Sequence, residues 1–145
     1  MTRTAKQTRL LLADEPSSLD RLKRAFSSYH CFDVSTLQQA ELLLEQESVH
    51  LFVIGVHLDD SRSMELISTI RTNETYKHFP ILVVRLMPSE HTEMLRATLG
   101  MMIKLKVVSE YLELDPETPN DPGKLRRTVD NLLNEKRAEI GAARK

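Results

Sequence analysis

In the stretch His50-Leu51-Phe52-Val53-Ile54-Gly55-Val56, five of seven residues are large and apolar, and no polar residue alternates with them. β-Branched and aromatic types dominate, so the stretch reads as a strand buried on both faces, the centre of a parallel sheet. Shorter apolar runs recur along the chain. Leu10 to Ala13 predicts a first strand ending in the acidic turn Asp14-Glu15-Pro16. Leu19, Leu22, Ala25, Phe26 and Tyr29 then follow at helical spacing, behind Ser17 or Ser18 as a cap. Cys31 to Ser35 predicts a strand, and Gln38 to Gln46 a helix with Ala40, Leu43 and Leu44 facing inward. After the central strand come a polar loop, a helix over Met64 to Thr72, and a strand over Pro80 to Arg85 with proline at its first residue. Pro88-Ser89-Glu90 is expected to open a helix that Gly100 stops, and Met102 to Val108 to form a fifth strand. The acidic, proline-containing stretch 109–123 has no clear pattern, and Leu125, Val129, Leu132 and Leu133 mark a last helix reaching about Ile140.

Strands that alternate with helices imply a parallel sheet with helices on both faces, joined by right-handed crossovers. The predicted architecture is therefore α/β: a three-layer αβα sandwich on a five-stranded parallel sheet. Residues 1–8 are expected to be a loose arm, 9–140 a single domain and 141–145 a tail. In open parallel sheets, chemistry sits beyond the carboxyl ends of the strands, which draws attention to Gly55, a residue with no side chain.

The totals remove several function classes. A net charge of −1, from 20 basic and 21 acidic residues, gives no bias toward nucleic acid or an anionic membrane. The charged last helix, with Lys124, Arg126, Arg127, Lys136 and Arg137 among Asp130, Glu135 and Glu139, reads as an ordinary solvated face. The single cysteine, Cys31, reads as a small packing residue and fits a reducing compartment. No apolar run approaches 18 residues, so a cytoplasmic protein is expected. The five histidines show no metal-ligand spacing, and four glycines leave little material for a phosphate-cradling loop. No cofactor, no metal and no enzymatic activity are expected.

Five βα units at this length resemble the response-regulator receiver domain of two-component signalling. The likeness spans about Arg9 to Glu135. It rests on Leu10 to Pro16 as first strand and acidic turn, and on Val53-Ile54-Gly55-Val56 as third strand. It rests also on Ile70-Arg71 followed by Pro80 and Ile81-Leu82-Val83-Val84, and on Leu99-Gly100. The resemblance implies a stand-alone CheY-like signalling module. A receiver needs a carboxylate nucleophile ending the third strand and two acids after the first to hold Mg²⁺. It also needs a hydroxyl ending the fourth strand and a lysine ending the fifth; the metal and the lysine neutralise the phosphoryl oxygens. Here the nucleophile position is Gly55, the acid pair is Ala13 and Asp14, the hydroxyl is Arg85, and the lysine position is Val107 with Lys106 beside it. The chain thus resembles a degenerate receiver, with Asp14, Glu15, Gly55, Arg85 and Lys106 lining a vestigial pocket.

Three functions remain in view. One is signalling by protein contacts without phosphorylation. Another is an active receiver using a displaced Asp59 or Asp60, although both lie several residues past the expected position. The third is a small flavodoxin-like nucleotide binder or enzyme, which the turns do not favour. Arg85 is expected either to pair with Asp14 or Glu15 or to reach solvent. By resemblance, a protein partner or second copy is expected on the face of the fourth helix, fifth strand and last helix. Met94, Ala97 and Met101 widen the apolar arc of the fourth helix there, between Met87 and Met102.

Overall fold

The computed structural model describes residues 7–87, 92–114 and 121–143. The elements are β1 (Arg9–Ala13), α1 (Pro16–Ala25), β2 (His30–Val34), α2 (Leu37–Gln46), β3 (Leu51–Gly55), α3 (Ser63–Arg71), β4 (Ile81–Arg85), α4 (Thr92–Lys104), β5 (Glu110–Glu113) and α5 (Asp121–Ala143). The strands form one parallel sheet in the order β2-β1-β3-β4-β5. β3 is central, and all five of its residues are buried, as an uninterrupted apolar run requires.

The period-2 alternation of the strands divides the core into two layers. Leu10, Leu12, Val53 and Val84 face one side, where α1 contributes Leu22, its C-cap residue Phe26 packs beside it, and α5 contributes Leu125 and Val129. Leu11, Phe52, Ile54 and Val83 face the other, under Ala40 of α2, Ile67 and Ile70 of α3, and Leu99 of α4. The sandwich is the one that the βα alternation predicts. No helix among the described residues is long and apolar enough to cross a membrane.

The fifth strand is not where the apolar pattern places it. Helix α4 runs through Gly100 to Lys104, and the strand is Glu110–Glu113. The run Met101-Met102-Ile103 belongs to the helix. Its end is a Schellman arrangement: Val107 N–H donates to Met102 O at 2.8 Å and Lys106 N–H to Ile103 O at 3.0 Å. Lys106 takes the left-handed position, φ 62°, that glycine usually fills. Gly100 has no positive φ, and a Cβ built on it meets nothing within 4 Å. Gly100→Ala is therefore expected to stabilise the fold by about 0.5–1 kcal/mol through the lower entropy of the unfolded chain. Urea denaturation should show a higher midpoint at unchanged slope.

Thr8, assigned to the loose arm, is buried, and its carbonyl accepts from His30 N–H at 3.0 Å. Helix α5 extends to Ala143, into the stretch read as a tail. Pro88-Ser89-Glu90 and residues 115–120 of the unpatterned stretch lie outside the described residues.

Candidate functional site

At the carboxyl end of the sheet, β1 delivers Asp14 and Glu15, β3 ends at Gly55, β4 at Arg85 and β5 at Glu113. Glu15, rather than Ser17 or Ser18, caps α1. Its carboxylate accepts from Ser18 N–H and Ser18 Oγ, each at 2.9 Å, and from the Ser17 hydroxyl, with Pro16 as the first helical residue. Those bonds, that of Ser17 foremost, hold the Glu15 carboxyl below its ordinary pKa. Glu15 is thereby engaged with its own helix.

Asp14 does the opposite. It is buried, and its Oδ1 accepts from Glu15 N–H at 2.8 Å. Burial pushes its pKa from 3.8 up to about 7, against the lowering effect of that hydrogen bond. The carboxyl lies directly over Gly55: a Cβ built there would stand 2.0 Å from Asp14 Cγ. The missing side chain of β3 is thus the space that the side chain from β1 occupies. Asp14 and Gly55 meet at the end of the sheet and fill the space between them.

Arg85 pairs with neither Asp14 nor Glu15. Its Nε donates to Glu113 Oε2 at 3.0 Å and its Nη1 to Met87 O at 3.0 Å. The parallel register sets Arg85 beside Glu113 across β4 and β5, so the strand pairing itself selects this partner. Arg96 of α4 binds the other oxygen of Glu113. Burial pushes the Glu113 carboxyl up, but hydrogen bonds from Arg96 and Arg85 outweigh it and hold its pKa low. The sequence pattern missed Glu113 because it placed the fifth strand earlier; Leu112 and Leu114, apolar on either side of Glu113 and buried in one layer, are the signal that finds it. Charged residues on this short edge strand also guard it against pairing with another chain.

Lys106 leaves the pocket altogether. It follows α4 and precedes β5, and lines a cavity with Pro80 and Ser109, at the amino end of the strands. The position that ends β5 is Glu113, followed by the buried Leu114. The strand that follows Lys106 therefore ends on an anion.

Asp59 is committed elsewhere. Its Oδ2 accepts from Leu37 N–H at 2.9 Å and so holds the start of α2, not the start of α3. Asp59, Asp60 and Ser61 all have positive φ, 43°, 55° and 66°, a left-handed turn that aspartate tolerates better than most residues. Cys31 is half-buried, its thiol pushed up to about 11 mainly by burial, which suits a packing residue rather than a nucleophile. Among the described residues, no group of histidine, cysteine and carboxylates is placed to hold a metal.

On the outer face of α4, Met94 and Met101 are 69% and 59% exposed, and Ala97 is exposed between them. Met102 packs on the core beside Leu95.

The arrangement defines an α/β protein, a three-layer sandwich on a five-stranded parallel sheet. The fold is that of CheY-like receivers. It matches the crystal structure of a CheY-like response regulator receiver domain protein from Methanospirillum hungatei with TM-score 0.67 and 18% identity, over 91% of this chain and 98% of that one. It matches the signal receiver domain of an HD domain-containing protein from Pseudomonas fluorescens with TM-score 0.71 and 20% identity, over 97% and 96%. The response regulator TrrA from Thermotoga maritima, solved in complex with Mg²⁺–BeF, matches with TM-score 0.63 and 16% identity, over 86% and 98%. No family model and no curated protein matches the sequence.

Proposed function

We propose that the chain is a receiver-type signalling module that acts by binding protein and does not accept phosphate. The observation that carries this reading is the Asp14 carboxyl seated in the Cβ space of Gly55. Phosphoryl transfer needs a nucleophile with open space for an in-line oxygen, and cations to take up the charge. Here the nucleophile is absent, the space is filled, and Arg85 is already neutralised by Glu113. Intact mass after incubation with acetyl phosphate and Mg²⁺ should show no added phosphoryl group. A stoichiometric gain, lost in Asp59→Asn or Asp60→Asn, would restore the displaced-carboxylate reading.

The binding face in this proposal is α4 with β5 and α5, centred on Met94, Ala97 and Met101, and the occupant is a protein partner or a second copy. Exposed methionines side by side suit a contact surface, because the thioether side chain adapts its shape. The Arg96–Glu113 pair ties α4 to β5 and would keep the face in one geometry. Met94→Glu should leave stability within about 0.5 kcal/mol, as for exposed sites generally. It should weaken self-association in sedimentation, or partner capture. A clear loss of stability with unchanged association would remove Met94 from the interface.

A further inference from the structure

The amino end of the sheet, opposite the pocket described above, holds a cavity of about 640 Å³. That lies within the range of small-molecule sites, roughly 300–1,000 Å³. Four cations line it, Arg71, Lys77, Lys106 and Lys136, against one acid, Glu135. Lys77 is paired with Glu74. For Arg71, Lys106 and Lys136, no carboxylate among the described residues lies within ion-pairing distance.

Arg71 is the unusual member. It is half-buried, and burial lowers its pKa below the ordinary arginine value. Its Nε donates to Val107 O at 2.8 Å, and its Nη1 to Phe79 O at 2.8 Å and Lys77 O at 3.2 Å. These bonds fix the loop before β4 to the turn after α4, but carbonyls carry no net charge. Desolvated charges are normally matched by an opposite charge. Here three further cations share the cavity instead, and only Lys77 among them has a carboxylate partner among the described residues. Lys136 lies over the Phe79 ring at 5.6 Å and donates to His78 O at 3.1 Å, which fixes it at the rim. Between the cations, Phe79, Ile103, Val108 and Leu132 supply an apolar wall.

We propose that this cavity binds a small organic oxyanion, a phosphate or carboxylate on an apolar or planar body, with the anion between Arg71, Lys106 and Lys136 and the body against Phe79 and Leu132. The ligand would take up the charge that the protein leaves unmatched. It would also bridge α5 to the turn between α4 and β5. The site is independent of the phosphorylation reading, because it uses none of Asp14, Gly55 or Arg85.

Phenyl phosphate is the probe, with phenol and inorganic phosphate as comparisons, read by backbone amide shifts in NMR titrations. Phenyl phosphate should give saturable shifts at residues 77–79 and 106–109. Inorganic phosphate should need a concentration at least about tenfold higher, and phenol should give no saturable shift. Lys106→Gly is the first variant, since glycine suits the φ of 62° and the fold should be kept. It should raise the phenyl phosphate midpoint about threefold, and Lys106→Glu about tenfold. Benzoate, a carboxylate on the same ring, should give saturable shifts at the same amides, because the cations read the anion's charge. The proposal is overturned if phenyl phosphate gives no saturable shift, if phenol matches it, or if both Lys106 variants bind it as the natural chain does.

Discussion

Gly55→Ala should destabilise the protein at about pH 5 by roughly 1–3 kcal/mol, the usual cost of overpacking a tight interior. The new methyl would stand 2.0 Å from Asp14 Cγ, and both residues are buried. Cγ is placed by a single torsion, so relief requires a different rotamer of Asp14 and loss of its hydrogen bond from Glu15 N–H. At acid pH the carboxyl is neutral and has no gain from reaching water, so the displacement is opposed in full. In an Asp14→Ala background the obstacle is gone, and the same Gly55→Ala change should cost little. Urea denaturation of the four proteins forms a double-mutant cycle, and its coupling term reads the clash directly. An equal cost in both backgrounds would mean that the methyl meets the strand packing rather than Asp14. Gly55→Asp should behave at least as badly as Gly55→Ala and should not create a phosphoacceptor, because its carboxylate would compete with Asp14 for one space.

That contact shows where the sequence was readable and where it was not. The buried run over Leu51–Gly55 is legible because five inward positions leave no solvent face to pattern, and its end marks Gly55 without any other information. The two core layers follow from alternation in β1 and β4 and from the helical spacing in α1 and α5. What fills the place of a missing side chain is a different kind of fact. It depends on a torsion in Asp14, 41 positions away in the chain, and no local pattern encodes it. The misplaced fifth strand has a physical reason too. Met101-Met102-Ile103 and Val107-Val108 form a short apolar stretch, and periodicity alone does not separate a buried strand from a helix end in so few residues. Gly100 invited the break, yet a glycine with ordinary helical backbone costs a helix only about 1 kcal/mol, which packing of Leu99 and Met102 can offset. Once β5 is shifted, the fates of Arg85 and Lys106 change together: Arg85 acquires Glu113, and Lys106 passes to the other end of the sheet.

The difference in stability between Asp14→Asn and the natural chain should grow with pH, from near zero at about pH 4 to on the order of 4 kcal/mol at about pH 8. Asp14 has its folded pKa raised to about 7 from 3.8, with burial as the first cause. Between those values the folded state holds a proton that the unfolded state has released. The stability contributed by this group is therefore fully present below about 3.8 and is lost as pH rises through about 7. Asparagine reproduces the neutral carboxyl in shape and can still accept from Glu15 N–H, but it never ionises. The two curves should meet in acid and separate as Asp14 is forced to carry charge under the sheet's end. Glu15 and Glu113, whose folded pKa values are lowered, act in the opposite sense and lose their contributions as pH falls. Both remain in the variant, so the difference curve isolates Asp14. Urea midpoints across this range would give the curve, and a carboxyl-carbon NMR titration of Asp14 would place its pKa independently. Parallel curves, or a titration near the ordinary aspartate value, would mean that the Asp14 carboxyl reaches water and does not hold the space over Gly55.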